Sequence, residues 1–300
     1  MRKVTEEELE EWRTHGYVLV KDMFTPEEVA AAQQNVAMYA PTGDEFSQRP
    51  KRYSWIRDPE EFKLIEGPFV GDALNSLMTA PVMVDMAERA LGGDRPFLTQ
   101  AILWPKYAQT VDYEQDLHLD YHDNTLTVPS ADSAYEQLAA IVYLTDVTED
   151  LGPTHVVSRQ QSKGVPLWPW SRSRALDPEL YADERPIVAR AGSVLLFGNQ
   201  TWHRGSAMRT EAGHRFTLHL SFRRIGQEWM AWRGVPRYLD HPEVQRFFTY
   251  ATPQQRELFG FPPVGDAFWT DETISATSQR YEGIDMGPYR QALAIKDRAR

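Results

Sequence analysis

Cysteine is absent from the 300 residues, so disulfides, thiolate nucleophiles and Cys-ligated zinc are excluded, and any metal site must draw on His, Asp or Glu. Positive charge is scarce: 32 Lys and Arg stand against 43 Asp and Glu, a formal net charge of −11. That balance disfavours nucleic acid or an anionic membrane surface as partner, because both require a basic face. Long apolar runs are missing as well. No stretch approaches the roughly 18 residues of a membrane span, and the opening Met1-Arg2-Lys3-Val4-Thr5-Glu6-Glu7-Glu8 lacks the apolar segment of a secretory signal, so the expectation is a soluble, cytoplasmic protein. Low-complexity linkers and internal repeats are also lacking. With 42% hydrophobic residues the chain can bury a sizeable core, and one domain over residues 1–300 is the simplest organisation. Its 9 Trp, 13 Tyr and 13 Phe serve core packing first, with an aromatic-lined pocket as the second reading.

The punctuation of the chain divides it into three stretches. Thr5-Glu6-Glu7-Glu8 and Thr25-Pro26-Glu27-Glu28 have the form of capping boxes, so helices are expected to start at both, the second running to about Tyr39. Tyr17 to Val20 reads as a short buried strand, residues 43–68 as loop with one short strand at Tyr53 to Ile56, and Pro81 to Leu91 as a helix ended by Gly92-Gly93. From Pro96 the period becomes that of strands: Phe97 to Trp104, Glu114 to Tyr121, Leu138 to Leu144, Thr154 to Val157, Pro186 to Arg190, Ser193 to Phe197 and Arg215 to Arg224. Strands without long intervening helices argue for a jelly roll over about 96–224. Residues 158–181 form a long insertion of the kind that often covers a site. Helical spacing returns at Pro242 to Tyr250, Pro253 to Phe259, Asp271 to Tyr281 and Pro288 to Ala299, giving helical segments at 1–95 and 225–300.

Two motifs carry the chemistry. On an extended strand His118 and Asp120 point to one face while Leu117, Leu119 and Tyr121 face the other. A third ligand from a distant strand completes a two-His, one-carboxylate set, which leaves positions of an octahedral ion open for substrates, and His203 in Trp202-His203-Arg204-Gly205 is the candidate. His122 is a competing ligand. The strand from Arg215 to Phe222 alternates strictly, with Phe216, Leu218, Leu220 and Phe222 on one face and Arg215, Thr217, His219 and Ser221 on the other. An inward guanidinium requires an anion, which a dicarboxylate cosubstrate or a structural carboxylate would supply.

Together these segments resemble the phytanoyl-CoA dioxygenase (PhyH) family of iron(II)- and 2-oxoglutarate-dependent oxygenases. The resemblance rests on Ala191-Gly192-Ser193-Val194-Leu195-Leu196-Phe197, Trp202-His203-Arg204-Gly205-Ser206 and the strand headed by Arg215. It extends to the opening His15-Gly16-Tyr17-Val18-Leu19-Val20, and to Leu144-Thr145-Asp146 with Gly152-Pro153-Thr154. It covers roughly residues 14–224. It implies a double-stranded β-helix, Fe(II), 2-oxoglutarate and O2 as cofactor and cosubstrates, His118, Asp120 and His203 as iron ligands, and Arg215 as partner of the distal carboxylate of 2-oxoglutarate. Arg209 is the alternative cation, and Gln100 falls where the family contacts the cosubstrate. The chain departs from the family at Ser158-Arg159-Gln160-Gln161, where a Pro-Gly-Ser-His turn is common. Asp120 argues against halogenation, for which related enzymes replace the carboxylate by a small residue.

The expected activity is therefore hydroxylation of a small molecule, with 2-oxoglutarate converted to succinate and CO2. A zinc-type metal hydrolase on the same ligands and a catalytically silent jelly-roll binding module are the alternatives. Tyr121, Asn124 and Trp168 are candidate pocket residues. The loops around the site are rich in aromatics and hold one Lys, Lys163, which favours an apolar or aromatic substrate. Oligomeric state is not legible.

Overall fold

The computed structural model describes residues 1–57, 65–93, 95–108, 110, 114–121, 129, 135–226, 242–259 and 261–298. Two antiparallel sheets face each other. The larger has the order β1(Tyr17–Val20), β9(Val194–Gly198), β5(Leu138–Tyr143), β11(His214–Arg224), β3(Pro96–Tyr107), β2(Ile65–Glu66). The smaller runs β7(Ser171–Arg172), β4(Leu117–His118), β10(His203–Gly205), β6(Thr154–Val156), β8(Arg185–Pro186). This is a double-stranded β-helix. Helices α1(Glu6–His15), α2(Pro26–Val36), α3(Gly43–Gln48), α4(Ala73–Met78) and α5(Pro81–Ala90) precede the core strands, and α6(Pro178–Ala182) lies within the insertion. Then come α7(Pro242–Tyr250), α8(Pro253–Leu258), α9(Asp271–Arg280) and α10(Gly287–Arg298). Among the described residues no helix is long and apolar enough to cross a membrane.

Strand alternation divides the interior. Phe216, Leu218, Leu220 and Phe222 of β11 and Leu138, Ala140 and Val142 of β5 join the helices in one large cluster that reaches from Val4 to Tyr289. The opposite parity, Ile141, Tyr143, Leu195 and Phe197, meets Val156 and Ile187 between the sheets. Residues of one parity therefore hold the helices, and those of the other line the space where a ligand can sit. A third cluster, Leu117, Leu119, Tyr121, Val157, Leu180, Tyr181 and Trp202, lies beneath the insertion.

Both expected capping boxes form: the Thr5 hydroxyl accepts from Glu8 N–H at 3.1 Å, and Thr25 accepts from Glu28 N–H at 3.3 Å. Helix α2 ends at Val36, three residues before Tyr39. Several expectations are corrected. Residues 54–57 form a 3-10 turn, so no strand spans Tyr53 to Ile56, and α3 occupies part of the expected loop behind a third capping box, Thr42 with Glu45. Helix α4 is an addition. Only Leu117–His118 of the stretch from Glu114 to Tyr121 is strand; Glu114 and Gln115 meet β10 mainly through their side chains, which bond Arg204 and Gly205, with a single backbone bond from Gln115 to Gly205. Of the stretch expected at Pro186 to Arg190 only Pro186 belongs to a strand, as the end of Arg185–Pro186, and Ala189 makes a single bridge with Val147.

Candidate metal centre and cosubstrate cleft

His203 in β10 is paired directly with His118 in β4, so the sheet register puts the two imidazoles side by side, with ring centroids 4.5 Å apart. Asp120 lies in the turn just past β4, yet its carboxylate meets both rings: Oδ1 is 3.5 Å from His118 Nε2 and Oδ2 is 3.3 Å from His203 Nε2. The three donor groups lie within 4.8 Å of one another and could hold a metal ion.

The tautomers fit that use. His118 Nδ1 lies 2.8 Å from the Asp116 carbonyl, and His203 Nδ1 lies 3.0 Å from that of Thr201. A carbonyl can only accept, so each ring carries a proton on Nδ1 and turns Nε2 toward Asp120, where a metal would take the place of any proton on Nε2. Desolvation raises the Asp120 carboxyl, but the facing His203 and His118 outweigh it and hold the group well below the usual carboxylate range. Phe197 packs on the His203 ring at 4.5 Å, and Trp170 meets His118 edge-on at 6.5 Å.

The backbone behind His203 is anchored to the first helix. Thr201, whose carbonyl orients His203, donates its hydroxyl to the Gly16 carbonyl at 2.7 Å, and Gly198 N–H donates to the same carbonyl at 3.0 Å. Gly16 takes φ +81°, and a Cβ there would lie 2.8 Å from the Thr201 hydroxyl, which is why this helix end is glycine. The departure at Ser158-Arg159 serves the same junction: Arg159 N–H donates to the His15 carbonyl at 2.8 Å, and its guanidinium pairs with Glu136 at 2.8 Å.

The polar face of β11 looks into the space between the sheets. Arg215 is 5% exposed and its Nη1 donates to the Gly152 carbonyl. Lys106, its cross-strand neighbour, is 3% exposed, and Nζ donates to the Ser206 carbonyl at 2.5 Å. Two buried cations thus sit side by side on neighbouring strands at this end of the cleft. Tyr143, opposite Thr217 in β5, is fully buried, and burial pushes its hydroxyl up to about 12 against the influence of Arg215 and Thr154. His219 packs at a tilt against Trp104, ring centroids 5.1 Å apart, with Nε2 at 3.0 Å from the Thr217 hydroxyl. Desolvation, reinforced by Arg215, lowers its pKa to about 3, so the ring is neutral at ordinary pH.

The remaining sequence candidates disperse. Arg209 is exposed on its loop, away from the buried face that holds Arg215. Gln100 shares the inward parity of β3, but it sits opposite Ser221 and accepts from that hydroxyl at 3.1 Å. Six residues of strand separate Ser221 from Arg215, about 20 Å. Tyr121 is buried, its hydroxyl donating to the Leu167 carbonyl at 2.8 Å, and so packs under the insertion. Trp168 is 68% exposed. His122 and Asn124 lie outside the described residues. Sequence reasoning missed Lys106 and Tyr143, although both had a signal: each shares the strand parity of an inward neighbour, Trp104 and Ile141.

Comparison with known proteins agrees with this geometry. The profile of phytanoyl-CoA dioxygenase (PhyH) matches residues 12–216. No curated protein matches the sequence. Among solved structures, EctD from S. alaskensis in its apoform superposes with a TM-score of 0.56 at 18% identity, over 77% of this chain and 84% of that one. HygX from Streptomyces hygroscopicus, with nickel and 2-oxoglutarate bound, gives 0.54 at 16% identity over 74% and 88%. The non-heme alpha ketoglutarate dependent epimerase SnoN from nogalamycin biosynthesis gives 0.52 at 17% over 73% and 82%. At these identities the likeness establishes a shared double-stranded β-helix. The profile spans more than half of the chain, and on that ground the chain belongs to the phytanoyl-CoA dioxygenase (PhyH) family, oxygenases that use Fe(II), 2-oxoglutarate and O2.

Proposed function

We propose that this oxygenase hydroxylates a small apolar or aromatic molecule, with His118, Asp120 and His203 as the iron ligands and Arg215 as the anchor of the distal carboxylate of 2-oxoglutarate. The balance is R–H + 2-oxoglutarate + O2 → R–OH + succinate + CO2, one oxygen atom entering the alcohol and the other succinate. The observation that carries the reading is the convergence of the two Nε2 atoms and the Asp120 carboxylate within 4.8 Å, each ring held by a backbone carbonyl at Nδ1. Bound there, ferrous iron supplies the redox chemistry that couples decarboxylation of the cosubstrate to attack on a C–H bond.

The chain's own residues do the rest. His118, Asp120 and His203 offer one anionic and two neutral donors on one side and leave the other side free for substrates. Arg215 and Lys106 neutralise the cosubstrate, and the Tyr143 hydroxyl, held protonated, faces the same end as a donor. Neutral His219 and Trp104 form a wall beside it without adding charge. We place Gln100 toward the substrate end of the cleft, given its distance along β11 from Arg215. The aromatic substrate class is supported by Trp170 against His118. We further propose residues 1–300 as one oxygenase domain, supported by the cluster that joins both helical segments to the large sheet.

The test is succinate release by protein loaded with iron anaerobically and then exposed to air, comparing wild type with His118→Ala, Asp120→Ala and Arg215→Ala. Metal-dependent succinate in wild type and its loss in all three variants is the expected result. Iron binding without binding or consumption of 2-oxoglutarate would overturn the Arg215 assignment and favour a hydrolase or a silent binding module. A candidate substrate is identified by its gain of one oxygen atom, and an epimerised or desaturated product would overturn hydroxylation alone.

A further inference from the structure

The insertion between β6 and β8 ends in the short helix α6, and two side chains from that end grip the two strands that carry the histidines. Tyr181 is 5% exposed, and its hydroxyl sits at the rung between β4 and β7: Leu117 N–H donates to it at 2.9 Å, and it lies 2.8 Å from the Arg172 carbonyl. Asp116 Oδ1 is a further acceptor at 3.2 Å. The phenol thus receives one backbone bond and can return another across the paired residues Leu117 and Arg172, one position before His118.

Three residues on, Glu184 receives the Arg204 guanidinium through two contacts, from Nε at 2.6 Å and from Nη2 at 3.1 Å. Arg204 follows His203 directly and is 3% exposed. Its Nη1 reaches Glu114, whose other oxygen accepts from Ala207 N–H at 2.7 Å. The Gln115 side chain and backbone both bond Gly205, at 2.7 and 3.0 Å. Leu117 and Arg204 point away from the metal centre, since alternate residues of a strand take opposite faces. The grip is therefore applied from behind, one residue from each histidine.

We propose that Tyr181 and Glu184 form a clamp that fixes the separation of His118 and His203, making both positioning residues for the metal centre. The inference rests on the ligand assignment proposed above. Its physical basis is that β4 spans only Leu117–His118, so its ladder alone gives few bonds to hold His118, and the Tyr181 hydroxyl adds two at that point. Outer partners of metal ligands typically change affinity by about 10- to 100-fold when removed. Tyr181→Phe deletes the hydroxyl and leaves the ring that packs with Leu117 and Trp202 and lies under Arg174 at 4.5 Å.

The experiment is Co(II) titration of the apoprotein, followed by its visible absorption, for wild type, Tyr181→Phe, Glu184→Gln and Leu180→Ala. Leu180 is buried in the same helix and cluster but has no bond to either ligand strand, so its variant measures general loosening. The expected result is a metal Kd raised about 10-fold in Tyr181→Phe and Glu184→Gln and changed less than twofold in Leu180→Ala, with a cobalt spectrum altered only in the first two. Wild-type affinity in Tyr181→Phe, or an equal loss in Leu180→Ala, overturns the clamp while leaving the ligand assignment intact. Failure of wild type to bind Co(II), with His118→Ala indistinguishable from it, overturns the ligand assignment and the clamp with it.

Discussion

Replacing Arg215 by Met tests the cosubstrate assignment in a way that separates binding from folding. Arg215 is 5% exposed beside Lys106, so its desolvation is already complete in the folded chain. The exchange also removes the donor to the Gly152 carbonyl, so each protein's own melting temperature without 2-oxoglutarate is the reference and only the ligand-induced shift is compared. Binding should suffer. Charge-assisted hydrogen bonds contribute about 1.5–3 kcal/mol each, and a bidentate pair lost with Lys106 still in place gives about 3 kcal/mol, roughly 150-fold in the Kd of 2-oxoglutarate. The assay is thermal unfolding of the metal-loaded protein without oxygen, with and without 2-oxoglutarate at 100 times the wild-type Kd. Linkage predicts about 2.7 kcal/mol of stabilisation for wild type and about 0.3 kcal/mol for the variant. For a chain of this size that is about 5 °C against less than about 1 °C. Equal shifts in the two proteins would refute the assignment of Arg215.

Asp120→Ala should lower metal affinity by at least about 100-fold, and chelator should then leave its melting temperature unchanged while lowering that of metal-loaded wild type. His219 has a folded pKa of about 3, below its unfolded value, so its contribution to stability is complete above about pH 6.5 and is lost as pH falls toward 3. At pH 5 the loss from this one group is about 2 kcal/mol, so the drop in unfolding free energy between pH 7 and pH 5 should be about 2 kcal/mol smaller in His219→Asn than in wild type, read by urea denaturation. Gly16→Ala forces an L side chain into φ +81° against Thr201 and Arg159, and should destabilise by about 1–2 kcal/mol in the same assay.

Strand parity makes most of the architecture legible in the sequence. The alternation from Arg215 to Phe222 told which side chains face the helices and which face the cleft, and it did so because a strand has only two faces. Capping chemistry likewise placed the starts of α1 and α2, since Thr followed by Glu three residues later satisfies two exposed N–H groups wherever it occurs. The same signal stood at Thr42 and Glu45, and the expectation of a loop there passed over it. Tyr53 to Ile56 has strand-like composition, but a strand needs a neighbour to bond, and a local sequence cannot say whether one arrives.

The convergence of His118, Asp120 and His203 was legible for a related reason and illegible in one respect. His-x-Asp spacing predicts a common face only if the segment is extended, yet β4 ends at His118 and Asp120 sits in the turn beyond it. The residues still converge because His118 is registered against His203 and because both ring Nδ1 atoms are fixed by carbonyls two residues earlier in the chain, Asp116 and Thr201. Those carbonyls are held in turn by distant partners: Thr201 by Gly16, and the chain around Asp116 by Tyr181. A carbonyl's direction and a hydroxyl's partner 65 residues away leave no local periodicity or motif. The donors of such a site can therefore be read from residue type and spacing, whereas the groups that aim them emerge only once the sheets are closed.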